Sequence, residues 1–233
     1  MRLSVWTPAE DCRLPSLTIE NYVKTIYEIC SRQQDKSAAT GQLAQALGVL
    51  PGTVTSMMKT LSDSGLASYQ PYEGVVLTHS GTALALRVLR RHRLIELFLV
   101  RTLDLSWDEV HEEAENMEHA VSDLLVDRIY AFLGNPDFDP HGDPIPKADG
   151  TVRQASGSCL NVMATGDRVR VVRVLDQSSE FLKRLTLEGI EIGATIEVLA
   201  VEENQFQLSV NAGPRRNLPW DLAGQILVEY VSG

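Results

Sequence analysis

Four side chains that can bind a metal ion lie close together in the segment HEEAENMEH: His111, Glu115, Glu118 and His119. Offsets of four, seven and eight residues return to one side of an α-helix, so a helix here aligns all of them. Oxygen and nitrogen ligands without a thiolate favour hard or borderline cations, such as manganese and iron(II), over a closed structural zinc site. The alternative interpretation is an acidic helix face that is only solvated.

A second pair of possible ligands, His92 and Glu96, lies upstream in the segment HRLIE. The two residues are four apart, so one helix places them on the same face, and two facing helices could enclose a divalent ion. Two enzyme signatures are near misses. The stretch HEEAE lacks the second histidine of the zinc-protease motif, and ExxEH does not match the Glu/His spacing of di-iron helical proteins.

Length, composition and cysteine spacing predict a globular protein of a reducing compartment. With 233 residues, of which 44% are hydrophobic, the chain can bury a core and is expected to form two or three small domains. Cys12, Cys30 and Cys159 show no CxxC spacing, which predicts free thiols. Without a membrane-length apolar run or a signal segment, we expect a cytoplasmic location and no membrane partner.

The net charge of −10 opposes nucleic-acid binding, because phosphate contacts need lysine and arginine. The opposition is partial, since acids concentrate in the metal helix and the C-terminal third. Five arginines crowd one central segment: Arg87, Arg90, Arg91, Arg93 and Arg101. Bound cations would further offset the acidic cluster.

The N-terminal third shows the pattern of a winged helix-turn-helix. SLTIENYVKTIYEICSRQ has apolar residues at helical spacing after the possible caps Ser16 or Thr18. TGQLAQALGV, with Thr40 as its cap, and PGTVTSMMKTLSDSGL, which starts at Pro51, predict two short helices joined by a tight turn. ASYQPYEGVVLTHSG then predicts two strands around a turn, which completes a wing over about residues 15–80.

The second short helix has a predicted buried face and a predicted outer face. Val54, Met58 and Leu61 recur at helical spacing and should face the core. DNA contacts are expected from the other side, at Thr53, Thr55, Ser56 and Lys59. Hydroxyl groups distinguish bases less decisively than Arg or Asn, so part of the specificity should come from DNA shape. The alternative is that these are ordinary surface positions of a helical hairpin.

The remaining chain predicts helices followed by short strands, and therefore an α+β protein. We expect an N-terminal tail and winged helix-turn-helix over residues 1–80, a helical metal-binding and dimerisation domain over 81–150, a linker over 151–165 and a small β-barrel over 166–233. Apolar surface beyond Val121 suits either a dimer interface or internal packing. NPDFDPHGDPIPKADG excludes persistent helix and predicts a linker or an ordered excursion.

The order of a winged helix, HRLIE, VHEEAENMEH, HGDPIP and a C-terminal barrel resembles the metal-dependent repressors of the diphtheria toxin repressor and manganese transport regulator family. The resemblance covers nearly the whole chain and leaves only the first dozen residues aside. It implies a non-enzymatic homodimer without a small-molecule substrate. It also implies that the C-terminal barrel is an SH3-like domain, related to those of ferrous-iron transport accessory proteins. Such a dimer binds a palindromic operator in double-stranded DNA when its metal sites are filled.

The resemblance also implies two ligand sets. One consists of His92, Glu96 and His111, and the other of Glu115, Glu118 and His119 with Asn21. The iron-responsive branch has cysteine where this chain has Glu115. At the position of Asn21, the iron branch has methionine and the manganese branch has aspartate. Oxygen in place of sulfur makes manganese (Mn2+) the expected cofactor and iron (Fe2+) the second candidate. Zinc, cobalt, nickel and cadmium (Zn2+, Co2+, Ni2+, Cd2+) are expected to substitute in vitro.

In long members of the family, the C-terminal domain supplies further ligands to the His92 site. Asp176 and Glu180 in DQSSEFLKRL are the candidates, and helix capping or solvated charge is the alternative for both. Two other functions remain open for the chain as a whole: a metalloenzyme and a metal-buffering or trafficking protein. Neither accounts for the winged helix.

Overall fold

The computed structural model describes residues 16–33, 36–154 and 156–231. It divides the chain into two compact units, the first ending at Ala85 and the second beginning at Leu86. The predicted α+β class is confirmed by helices in both units and an antiparallel sheet in the second. Within the described ranges, no helix combines the length and the apolar character needed to cross a membrane. Cys159 is a free thiol, as predicted, and the Cys30 thiol donates to the Val75 carbonyl (3.8 Å), whereas Cys12 lies outside the described residues.

The first unit is a winged helix-turn-helix, as predicted. Its elements are α1 (Leu17–Arg32), α2 (Thr40–Leu47), α3 (Pro51–Asp63), β1 (Ala67–Gln70) and β2 (Gly74–Leu77). The Ser16 hydroxyl accepts a hydrogen bond from the Ile19 N–H and caps α1. The prediction that Thr40 caps α2 is wrong, because Ala39 occupies the cap position and its N–H donates to the Gln42 side chain (2.9 Å). The Ser16 side chain at α1 and the Gln42 side chain at α2 therefore each accept a hydrogen bond from a backbone N–H at the helix start.

Packing in this unit gives α3 one buried face. Val54, Met58 and Leu61 are fully buried, which confirms the predicted core side of the helix. The β1–β2 hairpin gains a third partner where Ala38 pairs with Val75. Gly74 makes this approach possible: its φ is +93°, and a Cβ there would lie 2.6 Å from the Ala38 carbonyl oxygen. The wing is thus held firmly against the segment before α2.

The helical part of the second unit consists of three helices. They are α4 (His79–Leu103), which crosses the boundary between the units, α5 (Val110–Glu118) and α6 (Asp123–Phe132). Glu109 accepts a hydrogen bond from the Ser106 N–H (3.3 Å), as in a capping box. However, α5 begins only at Val110, so this pair closes the turn before the helix. The C-terminal end of α5 brings His119 to its cap position.

The apolar residues of α6 divide between the two predicted roles. Val126 and Ile129 are buried against α4, whereas Leu124, Leu125 and Phe132 remain exposed. Internal packing therefore accounts for one face of the helix. The other face is a surface with a large apolar content.

The proline-rich segment after α6 is an ordered excursion. Its residues Asp139 and His141 are buried, and the Val174 N–H donates to the His141 carbonyl (3.0 Å). At Gly142, φ is +84°, and a Cβ would lie 2.1 Å from the Val172 carbonyl oxygen. The segment therefore packs tightly on the first long strand of the C-terminal domain.

The C-terminal domain is a six-stranded antiparallel sheet wrapped around its own core. Its strands are β3 (Ser158–Cys159), β4 (Arg168–Val174), β5 (Thr195–Val201), β6 (Gln205–Val210), β7 (Arg215–Pro219) and β8 (Ile226–Tyr230), in the order β3-β8-β4-β5-β6-β7. Helix α7 (Ser179–Leu187) lies between β4 and β5 in the chain, and α8 (Trp220–Ala223) is a single turn. β3 and the buried Leu160 lie within the segment 151–165 that was predicted as a linker.

Candidate metal centres and DNA-facing helix

His92 lies at the centre of the predicted ligands, because α4 and α5 face each other there. Its Nδ1 lies 2.6 Å from Glu118 Oε2 on α5, and its Nε2 lies 3.0 Å from Glu96 Oε1, one turn along α4. The His111 Nδ1 lies 3.2 Å from the same Nε2. The helical spacing seen in the sequence therefore places carboxylates on both sides of one buried imidazole.

Potential ligand atoms form three compact groups among the described residues, each with its atoms within 4.8 Å of one another. We call the outer cluster His92, His111 and Glu115, the middle cluster Glu115, Glu118 and His119, and the deep cluster Glu96, Asp139 and His141. Glu115 belongs to two of them. Its Oε1 lies 3.8 Å from His92 Nδ1 and 3.8 Å from His111 Nε2.

The deep cluster contains two residues that the sequence did not assign. Asp139 and His141 come from the HGDPIP region, which is buried beside Glu96. His141 Nε2 lies 2.8 Å from the Trp107 carbonyl oxygen, which can only accept, so Nε2 carries the proton. His141 Nδ1 is then a lone-pair donor 3.8 Å from Glu96 Oε2, with no hydrogen-bond partner among the residues that the structure describes. Such an atom is poised to bind a cation.

Electrostatics in the deep cluster also favour the binding of a cation. Burial and the nearby carboxylates of Asp143 and Glu96 raise the pKa of Asp139 well above its ordinary value. Burial would also raise the pKa of Glu96, but the imidazoles of His92, His111 and His141 outweigh it and lower that pKa. Carboxylates in such a buried place need a cation or a proton. The donor set of oxygen and imidazole nitrogen fits manganese or iron(II).

Two predicted ligands, Asp176 and Glu180, belong to none of these clusters. Asp176 accepts a hydrogen bond from the Ser178 N–H (2.9 Å) just before α7, and Glu180 is exposed on the first turn of that helix. Both positions match the alternative of capping and solvated charge. Asn21 lies on α1 in the first unit, and its side-chain oxygen has no hydrogen-bond partner within the described part of the chain.

The predicted DNA-contacting residues lie on the outer side of α3. Thr53, Ser56 and Lys59 are exposed, and Thr55 is half-buried. The Thr55 hydroxyl donates to the Pro51 carbonyl (3.0 Å), and the Ser56 hydroxyl donates to the Gly52 carbonyl (3.1 Å). These hydroxyl groups are therefore satisfied within the helix, as Ser and Thr often are in helix interiors.

The central arginines do not form a free basic patch, which corrects the sequence-based interpretation of Arg87, Arg90, Arg91 and Arg93. Arg87 and Arg91 both pair with Asp123, and Arg90 pairs with Asp127 (3.2 Å). Arg93 donates to the Pro144 carbonyl (2.6 Å) and pairs with Asp143. These side chains join α4 to α6 and to the proline-rich segment.

Three family models match successive parts of the chain. Residues 16–75 match the N-terminal DNA binding domain of iron dependent repressors, and residues 78–147 match their metal binding and dimerisation domain. Residues 159–230 match the FeoA domain. The predicted winged helix, the metal-ligand helices and the small C-terminal barrel thus correspond to separate known domains.

Full-length relatives share this domain order. The iron-dependent repressor IdeR of Mycobacterium tuberculosis is 35% identical over 229 residues, which cover 92% of this chain and 97% of the relative. The diphtheria toxin repressor of Corynebacterium efficiens is 30% identical over 226 residues, 93% of this chain and 96% of the relative. A solved manganese-dependent transcriptional repressor in complex with manganese is 37% identical, has a TM-score of 0.80, and covers 91% of this chain and 100% of its own. The chain therefore belongs to the family of iron- and manganese-dependent transcriptional repressors, which are not enzymes, in the long form that ends in a FeoA domain.

Proposed function

We propose that this protein is a homodimeric repressor that binds a palindromic operator when divalent metal fills its α4–α5 clusters, and that it controls manganese or iron homeostasis genes. The observation that carries the proposal is the arrangement of three adjoining ligand clusters on one chain with a winged helix-turn-helix. Operator binding requires the repressor to be in the same compartment as the DNA, which agrees with the cytoplasmic location expected from the sequence.

Manganese is the proposed physiological metal. The clusters offer carboxylate and imidazole groups and no thiolate, a set that suits Mn2+ and accepts Fe2+. The related solved repressor in complex with manganese supports this choice, and the iron-dependent relatives keep Fe2+ as the second candidate. Zinc- and cadmium-bound forms of a further relative support substitution by other divalent ions in vitro.

Charge repulsion is the proposed basis of the switch. Glu96, Glu115 and Glu118 crowd around His92, and carboxylates so close repel one another unless positive charge is supplied. A divalent cation supplies that charge. We propose that the side-chain oxygen of Asn21 completes the middle cluster, so that the recognition helices of two protomers are held at the spacing of operator half-sites, about 34 Å or a multiple of it.

Metal removal should weaken specific DNA binding strongly. We expect Mn2+ to tighten operator binding by about 10- to 100-fold over chelated protein, the usual range of allosteric coupling. The measurement is fluorescence anisotropy at fixed salt, with a duplex selected from a randomised library and titrations of Mn2+, Fe2+ and Zn2+. Equal binding with and without chelator would contradict the proposal, and tight metal binding without any effect on DNA would instead indicate a metal-buffering protein.

The exposed face of α6 is the proposed dimer interface. Leu124 and Phe132 are 69% and 71% exposed, and they lie eight residues apart on the same side of the helix. Because a two-fold interface repeats every contact, Phe132→Glu should raise the dimer dissociation constant by at least about 100-fold. Light scattering after size exclusion measures the change. The matched control is Leu187→Glu, an equally exposed position on α7 (78%), and a variant Phe132→Glu that remains fully dimeric would refute this interface.

A further inference from the structure

Trp107 lies in the loop between α4 and α5 and is held there by helix α7 of the C-terminal domain. Its indole Nε1, which can only donate, lies 2.9 Å from the Thr186 hydroxyl oxygen. The same hydroxyl donates to the Leu182 carbonyl (3.1 Å), so it is oriented to accept from the indole. The neighbouring Asp108 pairs with Lys183 of α7 (3.5 Å). Two successive loop residues are therefore anchored on α7.

Trp107 also contacts His141 of the deep cluster, in two ways. The Trp107 carbonyl accepts a hydrogen bond from His141 Nε2 (2.8 Å). The indole and the imidazole are stacked, with ring centroids 6.1 Å apart and an angle of 15° between their planes. The hydrogen bond sets the tautomer of the imidazole, and the stacking sets the plane of its ring. Both contacts therefore leave Nδ1 as a lone-pair donor beside Glu96 Oε2, 3.8 Å away.

The imidazole of His141 depends on Trp107 for its orientation. Asp139 Oδ1 accepts from the N–H groups of His141 (2.8 Å) and Asp143 (2.9 Å), which fixes the backbone of the proline-rich segment but not the ring. Among the described residues, the Trp107 carbonyl makes the one hydrogen bond to the ring. The side chain of His141 is only 1% exposed, so solvent cannot replace that bond.

We infer that Trp107 is a positioning residue for the deep cluster, and that α7 of the C-terminal domain sets the metal affinity of this cluster through Thr186, Trp107 and His141. A ligand that is already held in its binding orientation loses less conformational freedom when it binds a cation. Without the anchor on α7, Trp107 and His141 can rotate, and the deep cluster binds Mn2+ more weakly. This inference rests on the proposed function, since it requires metal binding. It adds a role for a domain whose residues are not among the three deep-cluster ligands.

Thr186→Val tests the anchor, because it removes the hydroxyl group and keeps the shape of an exposed side chain. Loss of an outer-shell partner of a metal ligand lowers metal affinity by about 10- to 100-fold. Thr186 acts through Trp107, so we expect the lower end of this range, about tenfold weaker Mn2+ binding at the deep cluster. Thr186→Ser keeps the hydroxyl group and should retain the wild-type affinity. The matched control is Thr165→Val, at another exposed position of the C-terminal domain, which should also retain it.

Fluorescence of Trp107 gives a readout of the deep cluster in the full-length protein. Paramagnetic Mn2+ quenches a nearby indole more strongly than a distant one, so a titration with Mn2+ alone gives the midpoint of binding beside Trp107. The chain contains three tryptophans, and Trp107→Phe identifies the part of the quenching that comes from Trp107. His141→Ala should remove that quenching at the wild-type midpoint, which assigns the signal to the deep cluster.

A midpoint raised about tenfold in Thr186→Val, with wild-type midpoints in Thr186→Ser and Thr165→Val, supports the inference. An unchanged midpoint in Thr186→Val, an equal rise in Thr165→Val, or quenching that persists in His141→Ala overturns it. Operator binding measured by anisotropy tests the function separately. If Mn2+ activates operator binding but does not quench Trp107, the inference fails and the function stands. If Mn2+ does neither, both are overturned.

Discussion

Glutamine in place of Glu115 should remove metal-dependent operator binding almost completely. Glu115 is the residue shared by the outer and middle clusters, so Glu115→Gln takes a charged ligand from both at once. Losing even an outer-shell partner of a metal ligand lowers metal affinity by about 10- to 100-fold, and the loss of a direct ligand should exceed that range. The remaining carboxylates, Glu96 and Glu118, cannot restore the lost charge.

Two measurements check this expectation. Isothermal titration should show Mn2+ affinity reduced by more than about 100-fold, and anisotropy should show DNA affinity close to that of the chelated wild type. The matched control is Glu113→Gln, which removes the same charge from an exposed position of α5 that belongs to no cluster. A wild-type manganese response in Glu115→Gln would show that Glu115 is not an essential ligand. An equal loss in Glu113→Gln would show that net charge on α5 matters and shared ligation does not.

Alanine at Gly142 should destabilise the second unit more than most single substitutions do. A Cβ at this position would lie 2.1 Å from the Val172 carbonyl oxygen, and the φ of +84° strains any residue other than glycine. Left-handed strain costs about 1–2 kcal/mol, and overpacking against fixed backbone adds about 1–3 kcal/mol. We therefore expect Gly142→Ala to lose roughly 2–5 kcal/mol of unfolding free energy.

A matched glycine separates strain from steric conflict. Gly166 has a similar φ of +94°, and an added Cβ would meet nothing within 4 Å, so Gly166→Ala should lose only about 1–2 kcal/mol. Urea unfolding of both variants measures the difference. Because Gly142 follows His141, its replacement should also weaken Mn2+ binding, whereas Gly166→Ala should not. Equal stability losses in the two variants would mean that the segment is not packed tightly on β4.

Local pattern was sufficient for most of the fold. Val54, Met58 and Leu61 could be assigned to the core because helical periodicity depends on sequence spacing alone. The ligands on α4 and α5 followed from the same rule, since His92 and Glu96 are one turn apart. β7 was not predicted, because Arg215–Pro219 has neither an alternating apolar pattern nor a β-branched residue.

Long-range contacts explain what the sequence did not show. Asp139 and His141 reach Glu96 only because the proline-rich segment folds back between α4 and β4. The one local sequence signal for these two ligands is a histidine two residues after an aspartate in a loop. This spacing is also common in loops that bind no metal. Likewise, the sequence shows several arginines on α4 that could contact phosphates, but not that they pair with Asp123 and Asp127 of α6. The charges along one segment of the sequence do not reveal an ion pair with a residue of another helix.

The three clusters differ in solvent access, and the regulator should therefore respond to a fall in metal supply with a delay. The His111 side chain of the outer cluster is 53% exposed, whereas His141 of the deep cluster is fully buried. An ion in the outer cluster can exchange rapidly with the solvent. Release of an ion from the deep cluster requires the proline-rich segment to open locally. When the metal concentration in a cell falls, operator release should then occur in two phases. The early phase is set by metal loss from the outer cluster, and the delayed phase by metal loss from the deep cluster.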